Sequence, residues 1–368
     1  MHLYLHVPFC RRRCSYCDFS IAVRKTIPAR EYVDAIGAEL ARAGPRDVPL
    51  AASAQSPTIY LGGGTPSLLP PDAVSHLLKA VLLDAVEVTL EANPEDVTPA
   101  SAQAWRRAGI NRISLGSQSF DDGVLRWMHR VHDAARIGEA VRTLRGAGLD
   151  NVSLDLIFAL PEELGRDWGR DLELALALEP EHLSLYGLTV EERTPLARWV
   201  SRGAAAPPGD DRYADEYLLA HDRLGAAGYA FYEVSNAARP GRVSRHNSAY
   251  WTGQAYRGLG PAAHSFDGRR RFWNRRAWED YRRALLAGED PTESEEVLTA
   301  EQRRIEGVYL GLRTTSGLPL SEVPADRRAA WVAAGWGEES AGRIRLTATG
   351  WLLLDTLVHD LTGAPSIL

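Results

Sequence analysis

Outside one eight-residue window this chain of 368 residues has no cysteine. The three it has are Cys10, Cys14 and Cys17, in YLHVPFCRRRCSYCDFS. Lysine is almost as scarce: only Lys25 and Lys79 occur, so nearly all basic residues are arginine. With the alanine and glycine content, that bias reads as genomic codon usage and carries no function. No window reaches about 18 uninterrupted apolar residues, which argues against a membrane-spanning helix. A cationic leader followed by a long apolar segment is absent too, so no signal peptide is expected. A net charge of −6 argues against a general nucleic-acid binder or a membrane-surface protein. Peripheral association through a local basic patch stays open. There is no low-complexity tract and no repeat beyond a βα unit. At 45% hydrophobic and 24% charged residues, the chain reads as globular. Its thiols then belong in a reducing compartment, and the expected location is the cytoplasm.

The cysteine spacing is C-x3-C-x2-C, directly after an apolar run ended by Pro8. An odd number at such tight spacing excludes a disulfide framework. Three thiolates from one loop make a metal site or an iron–sulfur site. A structural zinc needs a fourth ligand, for which His6, in the strand-like run before the loop, is the candidate. A [4Fe–4S] cluster held by three cysteines keeps one iron open, where chemistry can occur.

Short apolar runs alternate with helical patterns over the first 230 or so residues. The runs are 3–7, 58–61, 87–91, 112–116, 152–158 and 182–188. Amphipathic stretches at 29–43, 71–83, 135–148 and 167–178 separate them. This pattern predicts six βα units and a parallel sheet, a partial barrel open along one side. Special residues recur at one place in each unit, the end of the strand. They are the cysteine loop, Gly62-Gly63-Gly64-Thr65-Pro66, Glu91-Ala92-Asn93-Pro94-Glu95, Gly116-Ser117-Gln118-Ser119, Asp155 and Tyr186 to Thr189. In barrel-like α/β folds the C-terminal strand ends build the site. The glycine triplet is either a tight turn or bare backbone that lets a ligand approach. Glu91 and Asp155 either cap the next helix or address hydroxyls and a cationic amine. Alternation stops near residue 235. The remainder carries RHNSAYW (245–251), a glycine-rich stretch at 256–266 and helical patterns, with 347–361 read as a final amphipathic helix.

In this order, CRRRCSYC, GGGTPS, LEANPED, SLGSQSF and DLIFALP resemble the radical S-adenosylmethionine (SAM) superfamily. The resemblance is to the branch that holds oxygen-independent coproporphyrinogen III oxidases and HemW-type haem chaperones, and it spans nearly the whole chain. It implies a partial (β/α)6 TIM-like barrel over 1–234 and a smaller, mainly helical C-terminal domain over 235–368. It further implies a [4Fe–4S] cluster on Cys10, Cys14 and Cys17, with SAM chelating the open iron and cleaved on reduction to a 5′-deoxyadenosyl radical. By motif, Tyr4, Gly63, Gly64, Thr65, Glu91, Gln118, Arg130, Asp155 and Thr189 are the positions implied to line SAM. Phe9 and Tyr16 either shield the cluster or pack at the barrel mouth. Ala159 departs from the glycine common at its position.

Two features separate the branches. Oxidases carry a further cysteine two residues after the third, where this chain has Phe19. Residues 246–251 form an HNxxYW motif, similar to a signature tied to haem binding. His246 offers an imidazole for haem iron, Tyr250 and Trp251 offer flat faces, and Arg242 and Arg245 can meet propionates. Against this stands a packed loop with a structural histidine. His264 is a second candidate ligand. The resemblance thus implies a haem chaperone, monomer or homodimer, that passes haem to acceptor apoproteins and lacks coproporphyrinogen-oxidising activity. The alternative is the oxidase, and a zinc-bound structural protein is a third class.

Overall fold

A computed structural model describes residues 1–42, 56–81, 84–207 and 209–364. Six parallel strands lie side by side in chain order: β1 (His2–Val7), β2 (Thr58–Gly63), β3 (Glu87–Ala92), β4 (Arg112–Gln118), β5 (Val152–Phe158) and β6 (His182–Gly187). Helices Ala29–Ala41, Pro71–Ala80, Pro99–Ala108, Ala134–Gly146 and Trp168–Ala177 connect them. The first two were expected to run on to 43 and 83; residues 43, 82 and 83 lie outside the described residues. Asp133 and Asp167 start their helices by accepting from the N–H three residues on.

Strand residues alternate by face, and the two faces differ in kind. Leu3, Leu5, Ile59, Leu61, Leu90, Ile113, Leu115, Leu154 and Leu183 are all buried in one apolar core with Ile36, Leu77, Trp105, Leu144 and Leu172 of the helices. The opposite, concave face is polar: Tyr60 donates to Glu91, Ser114 to Asp155, and Ser153 bonds His182. A concave face that gives up apolar burial, about 25 cal/mol per Å2, is shaped for a ligand and not for packing.

The sheet does not close. Beyond β6 it continues through β8 (Asn236–Ala238), antiparallel to β6, to β7 (Ala230–Glu233), antiparallel to β8. On the other side, β9 (Tyr256–Leu259) runs parallel to β1. Then β10 (His264–Phe266), β11 (Arg270–Asn274) and β12 (Thr292–Val297) follow antiparallel. From residue 300 helices predominate, around a three-stranded sheet of Leu318–Pro319, Gly337–Ser340 and Arg343–Leu346. The stretch read as one final helix is two, Ala348–Trp351 and Leu354–Thr362. Thr347 caps the first of these, and the Trp351 indole donates to the Leu312 carbonyl. No helix among the described residues is long and apolar enough to cross a membrane.

Candidate functional site

The cysteine loop leaves β1 and is fastened on three sides. Ser15 N donates to the Met128 carbonyl and Leu196 N to that of Ser15, while Arg24 N donates to that of Cys10. Ser20 donates to the Arg276 carbonyl and the Arg13 guanidinium to that of Cys17. The three thiols thereby line one cavity of 580 Å3 at the C-terminal ends of the strands. Thr65 Oγ1 lies 3.3 Å from Cys10 Sγ, and Arg130 Nη1 3.5 Å from Cys14 Sγ. Burial pushes the Cys10 thiol up to about 11 and the Cys17 thiol up to about 12. Both therefore favour the protonated thiol at neutral pH in the ligand-free protein.

No group of three His, Cys, Asp or Glu side chains among the described residues is arranged to hold a single metal ion. Four-coordinate zinc at about 2.3 Å from each sulfur would draw thiolates into mutual contact. Three thiols on one cavity wall without that convergence fit separate corners of a cluster. Nor is His6 positioned as a fourth ligand: Nδ1 bonds the Tyr4 hydroxyl and Nε2 the Ser20 carbonyl.

Eight of the nine positions expected around SAM line this same cavity: Gly63, Gly64, Thr65, Glu91, Gln118, Arg130, Asp155 and Thr189. Tyr4 does not. It sits one layer below, its ring 6.1 Å from that of Tyr60. Gly63 has φ +110°, and a Cβ there would meet the His6 ring at 2.7 Å. At Gly64 a Cβ would lie 2.8 Å from the Phe9 carbonyl oxygen. The glycines thus let β2 close against the cysteine loop while exposing backbone to the cavity. A bulge after Gly116 turns Gln118, at φ +67°, toward the cavity. Arg130 is anchored by Asn93 Oδ1 at 2.6 Å and the Gly116 carbonyl at 2.8 Å.

Glu91 accepts from Tyr60 and from Gly63 N, both at 2.9 Å. Asp155 accepts from Ser114 through both oxygens. Burial pushes Glu91 up to about 7 and Asp155 up to about 6. Folded values above the unfolded ones mean the acids favour the folded state at low pH. That contribution fades as pH rises from about 4 through 7. Glu91→Gln with Asp155→Asn is accordingly expected to flatten the fall in melting temperature of the ligand-free protein between pH 5 and pH 8. Identical pH dependence in variant and wild type would place both carboxylates in a water-like setting.

Of the two readings of Phe9 and Tyr16, Phe9 takes the packed one, buried edge-on against Tyr32 and Trp278, whereas Tyr16 lines the cavity. Ala159 takes φ +55°, a left-handed angle that favours glycine. His246 is 1% exposed. Its Nδ1 bonds Thr58 Oγ1 at 2.7 Å and its Nε2 the Tyr250 hydroxyl at 2.8 Å, and the ring stacks on Tyr60. Glu87 accepts from the backbone N–H of Arg245 and of His246 and so holds the start of helix Arg245–Trp251. Trp251 lies under the Arg313 guanidinium, 4.2 Å away. As placed, the motif has both imidazole nitrogens taken and forms an internal brace. Sequence reasoning missed Ser114 and His129, which also line the cavity. Ser114 was legible from strand parity, two residues before Gly116.

The radical SAM superfamily model matches residues 4–175. "Heme chaperone HemW" of Mycobacterium tuberculosis is 40% identical, over 98% of this chain and 94% of its own length. The protein of the same name from Synechocystis is 38% identical, over 88% of this chain and 80% of its own. Coproporphyrinogen III oxidase (HemN) of Escherichia coli shares the fold, with a TM-score of 0.81 at 22% identity over 98% of this chain and 89% of that one. Fold, cysteine loop and full-length similarity agree: the chain belongs to the HemW family of the radical SAM superfamily.

Proposed function

We propose that the chain binds haem and hands it to acceptor apoproteins, with a [4Fe–4S] cluster on Cys10, Cys14 and Cys17 and SAM beside it. The observation that carries this is one cavity lined by all three thiols and eight of the nine SAM positions, in a chain of the HemW family. Bound there, cluster and SAM supply one-electron chemistry. Arg130 places its guanidinium 3.5 Å from Cys14 Sγ, at the wall where the cluster would sit. Exposed backbone at Gly63 and Gly64 would hold the methionine end of SAM, and Glu91 and Asp155 would accept from its amine and hydroxyl donors. Residues 1–234 carry this site and 235–368 the haem-handling part. The division is functional, since the sheet runs unbroken across it. A cytoplasmic location fits the three free thiols.

Phe19, 58% exposed at the cavity mouth, stands where the oxidase reading needs a cysteine. The reconstituted, reduced protein is therefore expected to take up about one equivalent of haem per chain. Supplied with SAM, it is expected to form no protoporphyrinogen IX from coproporphyrinogen III. Haem titration and a decarboxylation assay on the same anaerobic preparation test both. Measurable decarboxylation would replace the chaperone reading with the oxidase.

A further inference from the structure

The chain has ten histidines, and the structure separates those with a free nitrogen from those without. His2, His6, His132, His182 and His246 use both ring nitrogens in hydrogen bonds. His221 lies face-on against Phe231 with Nε2 buried, and His359 bonds the Ala364 carbonyl. His76 is on the connecting helix Pro71–Ala80, on the convex side away from the cavity. His129 lines the cavity already given to cluster and SAM.

His264 is exposed, and neither ring nitrogen has a hydrogen-bond partner among the described residues. Unlike His76, it lies on the concave side of the sheet. Opening β10, it pairs directly with Trp273 of β11, so both side chains share the concave face. Their rings are parallel, at 20° and 5.4 Å between centroids. That stacking fixes the rotation of the imidazole and leaves its edge open. Two residues along the same strand, Phe266 pairs with Tyr256, and Tyr250 packs edge-on against Tyr256 at 4.6 Å. A run of aromatic rings, Phe266 buried within it, therefore leads from Tyr250 of the HNxxYW motif to the strand that carries the imidazole.

We propose that His264, steadied by Trp273, is the protein ligand to the iron of a bound haem, and that His246 is not. The assignment deepens the haem-binding reading above and depends on it. An accessible imidazole lone pair beside large aromatic surfaces is what an iron porphyrin needs. Partial burial and the charge of Arg271 lower the proton affinity of His264, which keeps the imidazole neutral near pH 7. His246 would first have to give up two buried hydrogen bonds and its stack on Tyr60. Buried partners left unsatisfied make that exchange costly.

The test is a titration of the full-length, cluster-loaded protein with haemin, followed by difference absorption and electron paramagnetic resonance. Wild type should show imidazole-ligated haem. His264→Ala should lose that signature and about tenfold or more in affinity, keep its iron and sulfide, and regain the signature with added free imidazole. His264→Met, which retains a coordinating atom, should bind haem with a shifted Soret band. His246→Gln should keep the wild-type haem spectrum. A wild-type spectrum in both His264 variants, or loss of the imidazole signature in His246→Gln alone, overturns the assignment while the chaperone reading stands. No haem uptake by the wild type overturns both.

Discussion

Replacing any one of Cys10, Cys14 or Cys17 with alanine is expected to reduce cluster-bound iron and sulfide to background. The chain has no fourth cysteine that could move in. The loop cannot easily rearrange to recruit another donor, because Met128, Leu196 and Arg276 hold it from three elements. His6, the nearest imidazole in sequence, is occupied by Tyr4 and Ser20 beneath the loop. The fold itself should survive. The apolar core lies on the other face of the sheet, and each change removes only a thiol at a cavity wall. Circular dichroism superimposable on wild type, with loss of the brown chromophore, is the expected pair of readings. One alanine variant with a full [4Fe–4S] complement would show that the three-cysteine site is wrong.

Loss of Asp155 or Glu91 should act on SAM and not on iron. A hydrogen bond to a charged group contributes about 1.5–3 kcal/mol, so Asp155→Ala should weaken SAM binding roughly ten- to a hundredfold. Iron content should stay near the wild-type value, because neither carboxylate bonds a cysteine. The two acids are not equivalent tests. Asp155 is held by the hydroxyls of Ser114 and Ser153, which can turn elsewhere when it is removed. Glu91 also holds Gly63 N and the Tyr60 hydroxyl, so Glu91→Ala leaves two donors unpaired and loosens the glycine turn. Its effect on affinity should be the larger and should come with a lower melting temperature. Isothermal titration under anaerobic conditions measures the first, thermal unfolding the second. SAM affinity unchanged in both variants would remove these acids from the site.

Much of this site was legible because its parts are local. Each motif follows its own strand by a fixed few residues, and parallel connection brings all six strand ends to one side. Cysteine count and spacing singled out the three candidate donors without any knowledge of the fold. Strand periodicity placed β1 to β6 to within a residue or two, since strands covered by helices on one face read as apolar runs. The strands from 256 to 297 were harder. They are short and antiparallel, and β12, TESEEV, has no apolar face to betray it.

The sequence by itself determined the six βα units and, through motifs that follow them in order, the family, because each unit and each motif depends on neighbours a few residues apart. Only the tertiary structure decided what the histidines do. The His246 ring nitrogens are taken by Thr58, 188 residues earlier in the chain, and by Tyr250, and the ring stacks on Tyr60. His264 is left open because β10 and β11 set it on a concave face against Trp273, with no hydrogen-bond partner among the described residues. Burial and hydrogen bonding of a side chain belong to the packed sheet and leave no periodicity in the chain, so two imidazoles that read alike in sequence have opposite availability in the fold.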